Sequence, residues 1–224
     1  MKKWILRGVY VILAVLVVSG LVYHLGLRHW CMHWGASDAE IRAALPGDEL
    51  MPQYARPDVT HAITIAAPPQ KIWPWLMQIG QDRSGFYSYT IFENLFGADM
   101  PKVEHLVPEW KPRAIGETVW FATPRRFHGE GKMIAAIVSS DQAFAMVSAN
   151  DWRNLQAGGS AREGLWSFTL VPIESGQTRL IARLRGATPP TLTSRLIGRL
   201  FWEPAHFVME QRMLRRIRDL AERG

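Results

Sequence analysis

One short stretch, "GQDRSGFYSY" at residues 80 to 89, puts Asp82 and Arg83 beside Phe86, Tyr87 and Tyr89. A guanidinium and two phenolic hydroxyls at the mouth of an apolar cavity hold a ligand's polar end while rings line the passage. The same residues suit a wedge, with Asp82 paired to Arg83 or capping the next helix while Phe86 and Tyr89 staple the loop to a sheet. Asp82 reads as structural. Arg83, Tyr87 and Tyr89 are ligand-binding candidates with both uses open. Glu93 reads as an ion-pair or capping partner rather than a general acid.

Further along the chain, Trp120, Trp166 and Phe168 are of the type that lines a cavity or fills a core. Trp202 and His206, one turn apart around Pro204, stand where a long helix would pass a cavity, and both are ligand-contact candidates. His61 shares strand parity with Val59, Ile63 and Ile65 and reads as a hydrogen-bonded structural histidine. His128, between "PRRF" and "GEG", reads as part of an exposed turn. His29 and His33 have i, i+4 spacing without the acidic partner of an HExxH pattern, and they suit a membrane interface better than a metal. There is no GxSxG, no P-loop and no Gly-rich dinucleotide fingerprint. Cys31 is the only cysteine, which excludes an internal disulfide and thiolate metal clusters. No catalytic residue, metal or cofactor is therefore assigned.

Charge location narrows the partners. The net balance is +6, and the excess lies at the two ends. Lys2, Lys3, Arg7 and Arg28 flank the first apolar run, and an Arg-rich helix closes the chain. A near-neutral middle argues against nucleic acid, whose phosphates need a basic face with many contacts.

The elements that must position these residues follow from periodicity. "GVYVILAVLVVSGLVY", Gly8 to Tyr23, carries no charge; with its flanks it makes a helix of about 24 residues, enough at ~1.5 Å per residue to span a ~30 Å hydrocarbon core. "SGLVYHLG" makes a poor signal-peptide cleavage site, so the helix reads as an uncleaved anchor. Lys2, Lys3 and Arg7 outweigh Arg28, which predicts an inside N-terminus and a domain on the outer, periplasmic side of the cell membrane. Ser37 and Glu40 fit a capping box that opens a short helix ended by Pro46-Gly47. A strand at 59–67, a helix starting at the prolines with Ile72, Leu76 and Ile79 on one stripe, and a helix over 88–97 follow. Five strands come next, at 117–122, 131–139, 143–149, 164–173 and 178–186. The last places Leu180, Ala182 and Leu184 on a dry face and Arg179, Arg183 and Arg185 on a wet one. A long amphipathic helix, bent at Pro204, ends the chain with Leu192, Leu196, Leu200, Phe207, Leu214, Ile217 and Ala221 on its apolar stripe. Its Arg-rich face is either solvated or drawn to anionic lipid headgroups.

The order β-α-α-β-β-β-β-β-α, together with "WGASDAEIRAALPGDEL", "PPQKIWPWLMQIGQDRSGFYSY", "ENLFG" and "VPEW", resembles the SRPBCC superfamily. That group includes START lipid-transfer domains, pollen-allergen-like proteins and polyketide cyclases or dehydratases; the nearest likeness is to an uncharacterised bacterial subgroup, often membrane-anchored. The resemblance covers residues 34 to about 222 and implies an α+β helix-grip fold, a curved antiparallel sheet around a long C-terminal helix, with a deep, mainly apolar cavity between them. The expected organisation is a transmembrane anchor at 1–28, a short helix and linker at 29–57, and the helix-grip domain at 58–224. The expected function is a membrane-anchored protein binding a hydrophobic small molecule, lipid or polyketide-like; the alternative is a cyclase or dehydratase using the same cavity.

Overall fold

Strand alternation at 59–65 and through the second half of the chain builds one sheet. The computed structural model describes residues 2–53, 59–186 and 191–223; the end of the expected linker, residues 54 to 57, lies outside them. Strands β1 (Val59–Ile65), β2 (Thr118–Trp120), β3 (Lys132–Ser139), β4 (Ala143–Val147), β5 (Gly164–Ile173) and β6 (Gln177–Gly186) form a six-stranded antiparallel sheet in the order β1-β6-β5-β4-β3-β2. The first strand lies beside the last, with His61 opposite Ala182. A register shift between Ala135 and Ile137 interrupts the β3/β4 ladder, the kind of irregularity that bends a strand. Period two sends Phe144, Met146, Trp166, Phe168, Leu180 and Ala182 to one face. Ala145, Val147 and Leu165 go to the other.

Helices cover the first face. A helix over Pro69–Met77 begins with proline at its first position, where a missing N–H costs nothing, and buries Ile72 and Leu76. A shorter one, Thr90–Leu95, follows and is ended by Gly97 at φ 78°. The C-terminal helix comes in two parts, Leu192–Ile197 and Glu203–Arg223, joined by a π-helical turn at Gly198–Trp202. Pro204 has no N–H to give the carbonyl four residues back, and the widened turn sits directly before it. From Glu210 onward the last helix buries Met213, Leu214, Ile217, Leu220 and Ala221, packing on β1 and on the Pro69–Met77 helix. This is the α+β helix-grip arrangement. The leading half of the expected stripe behaves differently: Leu192, Leu196 and Leu200 are exposed.

Two expectations need correction. The Arg face of β6 is not wet throughout, because Arg183 is 1% exposed. Segment 36–51 folds over it, and the guanidinium donates to the carbonyls of Glu40, Ile41 and Ala43, to Asp48 and to Thr60. Five donors in a planar fork can be satisfied by a chain that supplies carbonyls from several directions, which makes burial of this charge tolerable. The second concerns a helix at Ala149–Gln156, capped by Ser148 accepting from the Asp151 amide, that lies where no helix is expected. In chain order the helices are thus α1 (Lys2–Val22), α2 (Arg28–Met32), α3 (Asp38–Arg42), α4 (Pro69–Met77), α5 (Thr90–Leu95), α6 (Ala149–Gln156), α7 (Leu192–Ile197) and α8 (Glu203–Arg223). The Ser37–Glu40 capping box opens α3 as expected, although the helix ends at Arg42, before Pro46.

α1 runs through a π-helical turn at Tyr23–Leu27 into α2, and Tyr10–Met32 is long and apolar enough to cross a bilayer, with mean hydropathy 2.2 and none of its apolar window buried. Its far end is clamped to the domain. Arg28 makes a two-pronged pair with Glu203 at 2.7 and 2.9 Å, the Trp30 and Phe207 rings meet edge to face at 5.2 Å, and the Ala62 amide donates to the Trp34 carbonyl at 3.1 Å.

Candidate functional site

The sheet and α8 leave a cavity of about 300 Å³ between them. Met133, Trp166 and Leu184 form its sheet wall, Phe121 and Phe86 one side, and Ala205, His206, Met209, Glu210 and Met213 of α8 its roof. Phe86 stacks on Phe121 at 4.8 Å and on Trp166 at 5.7 Å, so three rings make a continuous aromatic wall. Trp202 also lines the cavity and is 63% exposed, so the hollow reaches the surface on that side. The volume sits at the low end of small-molecule sites, enough for a compact ligand or one arm of a larger amphiphile.

Polar groups converge at one end of this apolar space. Glu210 on α8 is 2% exposed. One carboxylate oxygen accepts from the Trp166 indole N–H at 2.6 Å; the other stands 2.5 Å from His61 Nδ1 and 3.3 Å from His206 Nε2. His61 Nε2 faces the Cys31 carbonyl at 2.6 Å. A carbonyl only accepts, so Nε2 carries the hydrogen and Nδ1 is the atom turned to Glu210. Burial alone would push the Glu210 carboxyl up, but the imidazoles of His206 and His61 hold it far below the usual carboxylate range. Burial would likewise lower His61, and the Glu210 charge and hydrogen bond with the Cys31 carbonyl raise it instead. A buried carboxylate is tolerated here because it is paired and hydrogen-bonded on both oxygens.

Glu93, on α5, is the second acid of the cavity. One of its carboxylate oxygens is buried without a hydrogen-bond partner, and burial pushes its pKa up from 4.5 to about 7. This differs from the expected ion-pair or capping role. The reason is position: α5 turns Glu93 toward the hollow rather than toward a basic neighbour.

Of the candidates read from the sequence, Trp166, Trp202 and His206 are brought together around the cavity. Tyr87 and Tyr89 line a separate, smaller pocket of about 210 Å³ with Arg212, and Ser88 lies between the two. Phe168 is fully buried in the core beside Trp166. Trp120 lies under the Lys132 ammonium, 5.3 Å from its ring. Arg83 lines neither cavity: it donates to the Met77 and Lys111 carbonyls and to Glu117. Asp82 is held mainly by Arg113, at 2.9 Å, and more distantly by Arg83 at 4.0 Å. The loop at 80–85 is thus a charged clasp around the fully buried Arg113, while Phe86 directly after it enters the cavity wall.

Sequence reading did not single out Glu210. The signal was present, since position 210 falls three after Phe207 and four before Leu214, inside the apolar stripe, and four after His206. An acid within such a stripe needs a buried partner, and His61, sharing its strand parity with Val59, Ile63 and Ile65 on β1, is the matching oddity.

No family model matches this chain, and neither does any curated protein. Solved structures with a similar arrangement include the Aha1 dimer from Colwellia psychrerythraea, with 16% identity over 69% of this chain and 92% of that one at a TM-score of 0.37. CalU16 from Micromonospora echinospora is 11% identical over 74% of this chain and 84% of that one, with a TM-score of 0.32. A Mesorhizobium loti protein, MLL2253, is 17% identical over 75% and 98% of the two chains, with a TM-score of 0.38.

Proposed function

We propose that this protein is a membrane-tethered binding module of SRPBCC type that takes a hydrophobic or amphipathic small molecule, lipid or polyketide-like, into the cavity beneath α8. The observation that carries this reading is the aromatic- and methionine-walled hollow of about 300 Å³, with polar groups gathered at one end. Apolar contact supplies affinity in such a space and a few polar atoms fix orientation.

The surroundings support entry from a bilayer. The α7 segment and the turn after it, which lead into Trp202, expose Leu192, Leu196, Ile197, Leu200 and Phe201; α5, which carries Glu93, and the capping residue after it expose Ile91, Phe92, Leu95 and Phe96. Large exposed apolar patches of this kind mark membrane or partner surfaces. Leu200 also lies against α1 at Gly20, where a Cβ would stand 3.5 Å from its methyl. In this reading residues 1–28 anchor the chain, 29–57 fasten the anchor to the sheet, and 58–224 form the binding domain on the outer side.

The test is mass spectrometry of organic extracts from the full-length, detergent-purified protein, beside an Ala205→Trp variant that fills the roof of the cavity. A discrete hydrophobic compound near one per chain, depleted in the variant, is the expected result. Extracts without one, and no thermal shift across fatty acids, phospholipids and aromatic polyketides, would overturn the reading.

A second reading, an enzyme of cyclase or dehydratase type, draws on Glu93. A carboxyl with a pKa near 7 inside a ligand cavity is matched to proton transfer near neutral pH. Turnover of an offered polyketide by the wild type and its loss in Glu93→Gln would favour that reading.

A further inference from the structure

The polar end of the cavity contains more than a hydrogen-bonded ion pair needs. His61 Nδ1, His206 Nε2 and a Glu210 carboxylate oxygen lie within 4.8 Å of one another, and the His206 Nε2 atom is buried without a hydrogen-bond partner. We infer that His61, His206 and Glu210 form a binding site for a divalent transition-metal ion of the zinc or ferrous class, with its remaining coordination position open to the cavity. This stands apart from the ligand reading above, since it does not require an organic guest.

Three features of the cluster support it. The first is spacing. With metal–nitrogen and metal–oxygen bonds of about 2.0–2.2 Å, two ligands on one tetrahedral ion stand roughly 3.3 Å apart. The His206–Glu210 separation of 3.3 Å already meets this, and the 2.5 Å between His61 and Glu210 needs to open by under 1 Å. The second is the support behind the donors. Metal-ligating histidines give their other N–H to a carbonyl or carboxylate, which fixes the ring and aims its lone pair. His61 Nε2 does this to the Cys31 carbonyl, and the Trp166 indole holds the Glu210 oxygen that faces away from His61. The third is scaffold. His206 and Glu210 are i, i+4 on one face of α8, and His61 sits on the β1 strand against which that helix packs, so all three donors ride on regular elements rather than on loops.

Donor chemistry sets the class of ion. Two imidazoles and one carboxylate suit zinc, iron, cobalt or nickel, whereas calcium and magnesium prefer oxygen throughout. His206 and Glu210 also line the cavity, so the open side of such an ion faces the hollow, where it acts as a Lewis acid or holds a water.

The experiment uses full-length protein purified in detergent without a metal-affinity tag. Elemental analysis as purified is followed by chelation and titration with Co²⁺, read by visible spectroscopy, on the wild type, His206→Ala, Trp166→Phe and a His29→Ala/His33→Ala double variant. The expected result is one ion per wild-type chain and cobalt bands of a four- or five-coordinate site. Affinity should fall about tenfold or more in His206→Ala and in Trp166→Phe, which removes only the support, and stay unchanged in the double variant. His206 is half-buried at the cavity wall, so its alanine variant is checked for unchanged circular dichroism in the metal-free state. Absence of any cobalt spectrum would overturn the site. So would binding that survives His206→Ala or disappears with His29 and His33, because the ion would then lie elsewhere.

Discussion

Glu210 is the residue on which the interior turns, an ionised carboxylate in an apolar helix stripe. Removing one partner from such a buried pair strands the other, at a cost of about 3–5 kcal/mol. Glu210→Ala and His61→Ala are therefore expected to lower the unfolding free energy by about that amount in metal-free protein, measured by denaturant titration, and the double variant should lose less than the two losses added. Full additivity would mean that the two side chains are not coupled. Glu93 makes a different prediction, because its pKa is raised. Its protonated form is the favoured one in the folded protein, so the stability it contributes is present below its unfolded value of 4.5 and is lost as pH rises through about 7. Glu93→Gln, which stays neutral, is expected to match the wild type near pH 4.5 and to be more stable by on the order of 1–2 kcal/mol at pH 8.5, after discounting for water reaching the cavity. Melting curves of ligand-stripped protein across that range check it; a pH-independent difference would mean that Glu93 ionises as freely as in water.

At the scale of elements, the junction between the N-terminal helix and the sheet is held by identifiable contacts. Gly35 has φ 72°, and a Cβ there would fall 2.2 Å from the Ala62 carbonyl oxygen. Gly35→Ala must push the Trp34–Ala62 hydrogen bond apart, and a loss of about 2 kcal/mol or more is expected. Glu203→Gln weakens the Arg28 clasp, so amide exchange at residues 28–36 should quicken while that of β4 and β5 stays at wild-type rates; uniform quickening would show that the clasp supports the whole fold. The strands and α4 were legible in the sequence because alternation and a proline-led apolar stripe are local signals. The cover over the outer face was not, since an alternating strand such as β6 states only that one side is polar. Arg183 is buried because a segment some 140 residues away supplies carbonyls, and no local pattern encodes that. Polar composition hid α6, whose cap at Ser148 was the available cue. The aromatic cavity wall is half legible: Trp166 is of the type that lines a cavity, but Phe86 in its loop suits a staple equally well, and the methionines of α8 are not distinguishable in sequence from core.

For the whole molecule, the apolar surfaces of α5 and α7, the exposed α1 helix and the exposed edge of the cavity at Trp202 are the features behind the proposal that the domain meets a bilayer with its pocket. Exposed aromatic and aliphatic side chains on such a face partition into the headgroup boundary. Leu196→Glu with Phe201→Glu is expected to leave folding intact and to slow transfer of a fluorescent lipid from vesicles into the full-length protein several-fold. An unchanged rate would remove these helices from the entry route. The most direct measurement of the central claim is photolabelling with a diazirine-bearing fatty acid in vesicles, followed by peptide mapping. The cavity account predicts label on Phe121, Met209 and Met213, lost in Ala205→Trp; label confined to α1 and α7, with none on those three, would contradict it.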